Sequence, residues 1–177
     1  MNFNDLVQKR RSIRKFTDEP IAPEQVQSIL RAGLMSPTSK SSRAWQFVVV
    51  DDRDMLDKLS MCKSAGAEFL KGAAMAVVVL VDTDATDVWI EDASIAAVTM
   101  QYQAADLGLG SCWAQIRLRS MADGTPAENI VQFLLGIPEN LKPLCILGFG
   151  HPAMERKPQN EDGLKWESVH IGSYQDR

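Results

Sequence analysis

Cysteine and histidine are scarce in this chain, which has three cysteines and two histidines among 177 residues. Cys62, Cys112 and Cys145 are widely spaced and lie in segments typical of helices or strands. Neither a disulfide framework nor a zinc site is therefore expected, and no metal ion is predicted. We predict instead that all three cysteines are small buried hydrophobic residues.

Long apolar runs and a positive net charge are also missing. The longest apolar run, Met75 to Val81, is far too short to cross a bilayer, and Met1 to Arg11 has no apolar export segment. A cytoplasmic location without a membrane partner is expected. The formal net charge of −4 argues against a general nucleic-acid binder, because phosphate-backbone affinity needs a clustered positive field.

The rest of the composition is that of a globular protein, with 45% hydrophobic and 24% charged residues. No linker or repeat divides the chain, so residues 1–177 are expected to form a single domain. The polar tail from Met154 to Arg177 is expected to lie over the surface or over a partner.

Residue periodicity predicts helices alternating with short buried strands. One helix is expected over residues 3–10, capped by Asn4 or Asp5, and a second begins at Pro23 and ends at Ser36-Pro37. Further helices are predicted over residues 88–107 and 126–135, with a weakly helical stretch over 55–70. Strands are predicted over residues 45–50, 75–81, 111–116 and 144–149, with residues 12–16 extended. This order indicates an α+β or α/β sandwich.

The longest predicted helix, Val88 to Leu107, is rich in alanine. Small side chains let another helix approach closely. The neighbour could belong to a second subunit, or the alanines could pack inside one subunit. The alanines are Ala93, Ala96, Ala97, Ala104 and Ala105.

The densest charge cluster is Lys9 to Lys15. In an extended segment Ser12 and Arg14 share one face, so both can converge with Arg10, while Arg11 lies on the other face. Guanidinium groups bind phosphate oxygens in a bidentate manner and a serine hydroxyl adds a donor. The alternative is a solvated basic face.

A polar loop, Ser36 to Arg43, lies between a predicted helix and a predicted strand. Its short hydroxyl side chains and free backbone amides suit hydrogen bonding to the edge of a heteroaromatic ring. Taken alone, it could also be an ordinary serine-rich loop.

Two glycine pairs follow secondary-structure elements. Gly108 and Gly110 stand between a helix and a strand, the reverse of the order in a dinucleotide-binding motif, so a C-cap glycine and a close-approach glycine are expected. Gly148 and Gly150 precede His151, which lacks an orienting sequence pattern and is expected to be structural or exposed. Side-chain catalysis is poorly supported, and a bound cofactor that carries the reaction is favoured.

Taken in order, these features resemble the nitroreductase family over nearly the whole chain. That family typically has an Arg-Arg/His-Ser-x-Arg/Lys segment, matched by Arg10-Arg11-Ser12-Ile13-Arg14. It continues with a Pro-Ser/Thr-Ser loop, a helix that ends in Gly-Leu-Gly and a closing Gly-x-Pro turn. Three positions depart from the pattern: Ser41 replaces Asn, Ala44 replaces Pro, and Gln159 replaces an Arg whose charge Arg156 could supply.

The resemblance implies a flavin mononucleotide (FMN) site. Arg10, Ser12 and Lys157 would hold the phosphate and ribityl chain, with Arg11 and Arg156 nearby, and Arg14 would act at the N1/O2 edge of the ring as the catalytic residue. A partner subunit would contribute Pro37, Thr38, Ser39 and Ser41. Backbone at Cys112 and Trp113 would approach the ring, and Gly148 and Gly150 would keep nearby chain close to it.

The resemblance also implies a fold and an activity. The fold would be a central, mostly antiparallel sheet flanked by helices in an intertwined homodimer. NADH or NADPH would reduce the flavin, and a nitroaromatic, quinone or similar electron-poor small molecule would be reduced in turn, in a ping-pong cycle. Two alternatives remain: a non-catalytic flavin carrier or sensor, and an FMN enzyme of the same fold acting in dehalogenation or flavin breakdown.

Overall fold

Four strands form one sheet in which all neighbours are antiparallel. They are β1 (Trp45–Val50), β2 (Met75–Asp82), β3 (Gly110–Gln115) and β4 (Leu141–Gly150), in the spatial order β1-β2-β4-β3. The structure is a computed structural model that describes residues 1–174. The predicted central antiparallel sheet is confirmed.

The two central strands are the most buried part of the molecule, since Met75–Val81 of β2 and Pro143–Gly150 of β4 are buried. Successive side chains of a strand point to opposite faces. Accordingly Val77 and Val79 belong to the core cluster on one face, whereas Val78 and Leu80 belong to the cluster on the other.

Helices cover both faces of the sheet. They are α1 (Phe3–Lys9), α2 (Pro23–Leu34), α3 (Arg53–Ser60), α4 (Trp89–Asp106) and α5 (Ala127–Leu135). Residues of α2 and α4 complete the first core cluster, and residues of α3 and α5 complete the second. The α+β sandwich predicted from the sequence is therefore confirmed. No helix within residues 1–174 is long and apolar enough to cross a membrane.

Two details of the predicted elements need correction. The cap of α1 is Asn2, whose side chain accepts from the Asp5 amide at 2.9 Å, and not Asn4 or Asp5. The weakly helical stretch over residues 55–70 is interrupted after α3, and a 3-10 turn follows only at Glu68–Gly72. Gly66, at φ +84°, lies in the break and cannot continue a right-handed helix.

The alanines of α4 pack inside the subunit. Ala93, Ala96, Ala97 and Ala104 are fully buried, so they do not supply the helix-pairing surface considered for a second subunit. The neighbour on this side is α2, where a Cβ at Gly33 would lie 3.0 Å from Met100. The exposed stripe of α4 carries larger residues, including Ile95 and Val98.

The chain between α1 and α2 runs along one end of the sheet. Ser12 forms a parallel bridge with Ser111, and Phe16 forms an antiparallel bridge with Pro152. The Ile13 amide donates to the Ser111 carbonyl at 2.9 Å. The predicted extended segment is thereby confirmed, and it carries the basic residues to the start of β3.

Glycines allow this close approach. A Cβ at Gly110 would lie 2.8 Å from the Ile13 side chain. Gly108 follows the last turn of α4 and has a φ of +77°. Gly110 thus has the close-approach role, and Gly108 the helix-ending role, expected from the sequence. Cys62, Cys112 and Cys145 are free and buried, as predicted.

Candidate functional site

A basic cleft lies where α1, the end of α4 and the start of β3 meet. Its volume is about 240 Å³. The wall is formed by Gly108–Ser111, and four cations border it: Lys9, Arg10, Arg11 and Arg156. None of the four forms an ion pair with a carboxylate within residues 1–174. Unpaired guanidinium groups beside backbone are suited to a phosphate or another anion.

Two of these arginines are fixed by neighbouring groups. The Arg10 guanidinium lies over the Tyr102 ring, 5.8 Å from its centroid. Arg11 donates from Nη1 to the Lys157 carbonyl oxygen at 2.7 Å, which ties the segment after β4 to the cleft. Lys157 itself is exposed.

Arg10, Ser12 and Arg14 all influence the Cys112 thiol. Burial raises the pKa of Cys112, while the charge of Arg14, a hydrogen bond from Ser12 and the charge of Arg10 act in the opposite direction. The convergence of Arg10, Ser12 and Arg14 on one ligand stays a prediction.

Lys63 and Arg119 border the same region and were missed from the sequence. Burial lowers the pKa of Lys63, and among its smaller influences are the nearby Arg119 cation, which also lowers it, and Cys112, which raises it. The Ser64 amide donates to the Ser120 carbonyl at 3.1 Å, so the two loops run side by side. No motif marks either residue, because only the pairing of two distant loops brings them together.

The polar loop lies elsewhere, against the first turn of α4. Asp92 is buried and accepts hydrogen bonds from the Ser39 amide at 2.9 Å and the Ser42 hydroxyl at 3.2 Å. The Arg43 amide donates to the Thr38 hydroxyl oxygen at 3.1 Å. Pro37 and Ser41 remain exposed, while Thr38 and Ser39 are half-buried.

The loop and the basic cleft lie at opposite ends of α4. Asp92 holds the loop in the first turn of the helix, whereas Ala105, near its last residue, lines the cleft. At 1.5 Å per residue, about 20 Å of helix separates the two positions. One chain therefore does not bring Pro37–Ser41 to Arg10–Arg14.

The remaining predicted site residues have clear packing roles. A Cβ at Gly148 would lie 2.8 Å from Phe69, and one at Gly150 would lie 2.9 Å from Phe16. Trp113 is half-buried and its indole nitrogen donates to Gln115 at 2.9 Å. These contacts leave the assignment of Gly148, Gly150 and Trp113 to a cofactor as a prediction.

His151 has a charged neighbour that the sequence did not indicate. Its Nε2 lies 3.8 Å from the Glu19 carboxylate, although Glu19 is largely exposed. The Thr17 amide donates to the His151 carbonyl at 2.9 Å. The half-buried position of His151 fits the structural role favoured from the sequence.

Comparison with known proteins identifies the family of the chain. The nitroreductase family model matches residues 7–66 and 62–151, which include the basic segment, the polar loop and all four strands. The chain belongs to the nitroreductase family. A related protein of Archaeoglobus fulgidus, with the provisional name NADH dehydrogenase/NAD(P)H nitroreductase, is 33% identical over 85% of this chain and 86% of its own.

Other members of the family resemble the chain over nearly its full length. An FMN-dependent nitroreductase from Clostridium difficile R20291 superimposes with a TM-score of 0.94 and 42% identity, over 96% of this chain and 98% of its own. The NADPH-flavin oxidoreductase of Vibrio harveyi is 29% identical over 99% of this chain and 75% of its own. This nitroreductase therefore shares its fold with flavin-dependent oxidoreductases.

Proposed function

We propose that this nitroreductase is an FMN-dependent oxidoreductase that uses NADH or NADPH to reduce nitroaromatic, quinone or similar electron-poor acceptors. The observation that carries the proposal is the glycine-walled cleft bordered by Lys9, Arg10, Arg11 and Arg156. The flavin supplies hydride and electron transfer when bound, so the protein's task is binding and placement.

The donor set fits FMN. A terminal monophosphate carries two negative charges, and the cleft offers several cations without carboxylate partners within residues 1–174. Arg10, Ser12 and Lys157 are assigned to the phosphate and ribityl chain, with Arg11 and Arg156 completing the positive field. This arrangement supports the binding of a terminal monophosphate.

Arg14 is assigned to the ring. A fixed cation there would stabilise negative charge at the N1/O2 edge, as a preorganised donor stabilises an oxyanion. The proximity of Arg14 to Cys112 in β3 supports this placement, because Cys112 and Trp113 are the residues predicted to approach the ring. Lys63 and Arg119 add positive charge to the same region.

The functional unit is proposed to be a homodimer with two shared sites. The loop at Pro37–Ser41 and the basic cleft are about 20 Å apart in one chain, so only a second copy can bring them together at one flavin. If two α4 helices pack antiparallel about a two-fold axis, the first turn of one lies beside the last turn of the other. Exposed Ile95 and Val98 on α4 and Phe3 on α1 supply an apolar surface for that contact.

The tail supports the same assembly. The segment after β4 is tied to α1, where the Gln159 amide donates to Gln8 at 2.9 Å. Beyond it, large apolar side chains are exposed, which is a feature of surfaces that meet a partner. They are Leu164, Trp166, Val169, Ile171 and Tyr174. The predicted tail also includes residues 175–177, which lie outside the described residues.

Anaerobic stopped-flow measurement tests the activity. We expect a yellow protein that releases FMN on heating, loses its absorbance near 450 nm with NADH or NADPH, and regains it with nitroaromatics or quinones. A carrier or sensor would keep its flavin oxidised on this timescale. Preferential reoxidation by halogenated phenols would favour the dehalogenation alternative, and loss of the flavin itself would favour breakdown. Cytoplasmic location and single-domain organisation remain predictions from the sequence.

A further inference from the structure

Asp92 is a buried carboxylate with no direct part in the site described above. It lies in the first turn of α4 and is only 3% exposed. Burial of a charged group is costly unless hydrogen bonds satisfy it. Both of its oxygens are used, since Oδ1 accepts from the Ser39 amide and Oδ2 from the Ser42 hydroxyl.

The loop that it holds has a strained backbone. Lys40, Ser41 and Arg43 have φ values of 51°, 54° and 48°, in the left-handed region that residues other than glycine rarely adopt. Each such residue costs free energy and persists only where surrounding contacts fix it. No glycine occurs between Met35 and Ala44 to relieve the strain.

The other hydrogen bonds of residues 38–43 join these residues to each other. The Ser42 amide donates to the Ser39 carbonyl and the Arg43 amide to the Thr38 hydroxyl, so these bonds close the turn on itself. Within residues 1–174, the two bonds to Asp92 are the side-chain hydrogen bonds that connect Ser39–Ser42 to the rest of the subunit. Asp92 therefore determines where the loop lies relative to α4.

We propose that Asp92 is a positioning residue that sets the strained loop for the flavin ring bound by the partner subunit. The proposal rests on the function and the shared site proposed above. α4 is a single rigid helix and also forms the proposed contact between the two subunits. A carboxylate in its first turn therefore fixes the position of the loop relative to both subunits. Phosphate binding, assigned to the opposite end of α4, does not depend on it.

Amide hydrogen exchange of the FMN-free protein tests the anchor without reference to activity. We expect the Ser39 amide to be protected in the unaltered protein and to exchange at least about tenfold faster in Asp92→Ala. Asp92→Asn should restore most of the protection, since its amide group can accept from Ser39 and donate to the Ser42 oxygen. Equal protection in all three proteins would overturn the anchor.

The flavin-loaded protein tests the positioning role. Asp92→Ala should shift the flavin absorption bands and slow flavin reduction by roughly ten- to a hundredfold, as expected for a small displacement of a positioning group. Its Kd for FMN should change by less than about threefold. Ser42→Ala, which alters only an exposed loop residue, should give the same changes to a smaller extent. This variant allows the same test if Asp92→Ala misfolds.

The outcomes separate the two proposals. Unaltered spectra and rates in Asp92→Ala and Ser42→Ala would refute the role of Asp92 while leaving the proposed function intact. A matched control is Glu91→Ala, which removes an exposed carboxylate from the same helical turn and should leave spectra, rates and exchange unchanged. An unaltered protein that binds no FMN would refute the proposed function, with the hydrogen-exchange result still deciding the anchor.

Discussion

Arg10 and Arg14 lie close together but make different contacts. Arg10 lines the cleft and stacks on Tyr102, whereas Arg14 is the strongest cationic influence on the Cys112 thiol in β3. Two charges four residues apart can therefore serve different parts of one ligand. Their replacement should produce different defects.

Arg10→Ala should weaken FMN binding, and Arg14→Ala should mainly slow flavin reduction or lower the flavin potential. A lost charge-assisted hydrogen bond costs about 1.5–3 kcal/mol, or roughly ten- to a hundredfold in Kd. Fluorescence titration and stopped-flow reduction measure the two effects. Arg31→Ala, an exposed cation on α2, is the control and should change neither. Equal losses of binding alone in both variants would refute the division of roles.

The cysteines should be chemically inert in the folded protein. Burial raises the pKa of Cys62 to about 11 and that of Cys145 well above its usual value. A raised pKa keeps the thiol protonated at pH 8, and the thiolate is the reactive form. Reaction with a thiol-specific disulfide reagent at pH 8 should be slow for both residues, and all three cysteines should react at once in denaturant. Rapid labelling of Cys145 without denaturant would contradict the packing of β4.

At the scale of elements, the sequence predicted types of structure better than their ends. The valine-rich run of β2 and the helical spacing of α4 are local signals, and both elements agree with their predictions to within one residue at each end. The β4 strand begins three residues earlier than predicted because pairing with β2 extends it to Leu141. Such extension depends on a distant strand and has no local signal.

In the candidate site, too, local features could be predicted from the sequence and long-range contacts could not. The motif Arg10–Arg14 could be found from sequence, because charge and a two-residue period are local. The contribution of Lys63, Arg119 and Asp92 could not, since each depends on the pairing of segments far apart in the chain. The buried alanines of α4 were ambiguous because alanine suits both an internal and an intersubunit contact.

Packing against the glycines of β4 gives a test at this scale. Gly148→Ala should lower the free energy of unfolding by about 1–3 kcal/mol, because its Cβ would lie 2.8 Å from the Phe69 ring. Gly72→Ala is the control, since nothing lies within 4 Å of a Cβ there. Urea denaturation of both variants measures the difference. Equal midpoints would show that Phe69 does not require a glycine at position 148.

At the scale of the whole molecule, α4 separates the two halves of the proposed site. The loop held at its first turn and the cleft at its last turn can serve one flavin only in an assembly of two chains. Sedimentation should therefore show a homodimer that binds two FMN molecules. An active, FMN-loaded monomer would be incompatible with a shared site.

Mixing two variants with impaired sites tests whether two chains share each flavin site. Arg10→Ala impairs the cleft, and Ser39→Trp blocks the loop. When the two chains are unfolded together and refolded, a heterodimer contains one site with both defects and one intact site. We predict that the mixture regains FMN binding and NAD(P)H oxidation up to about a quarter of the unaltered activity, since random pairing makes half of the dimers heterodimers with one working site each. A mixture no more active than its two parents, although heterodimers form, would show that each chain builds its flavin site alone.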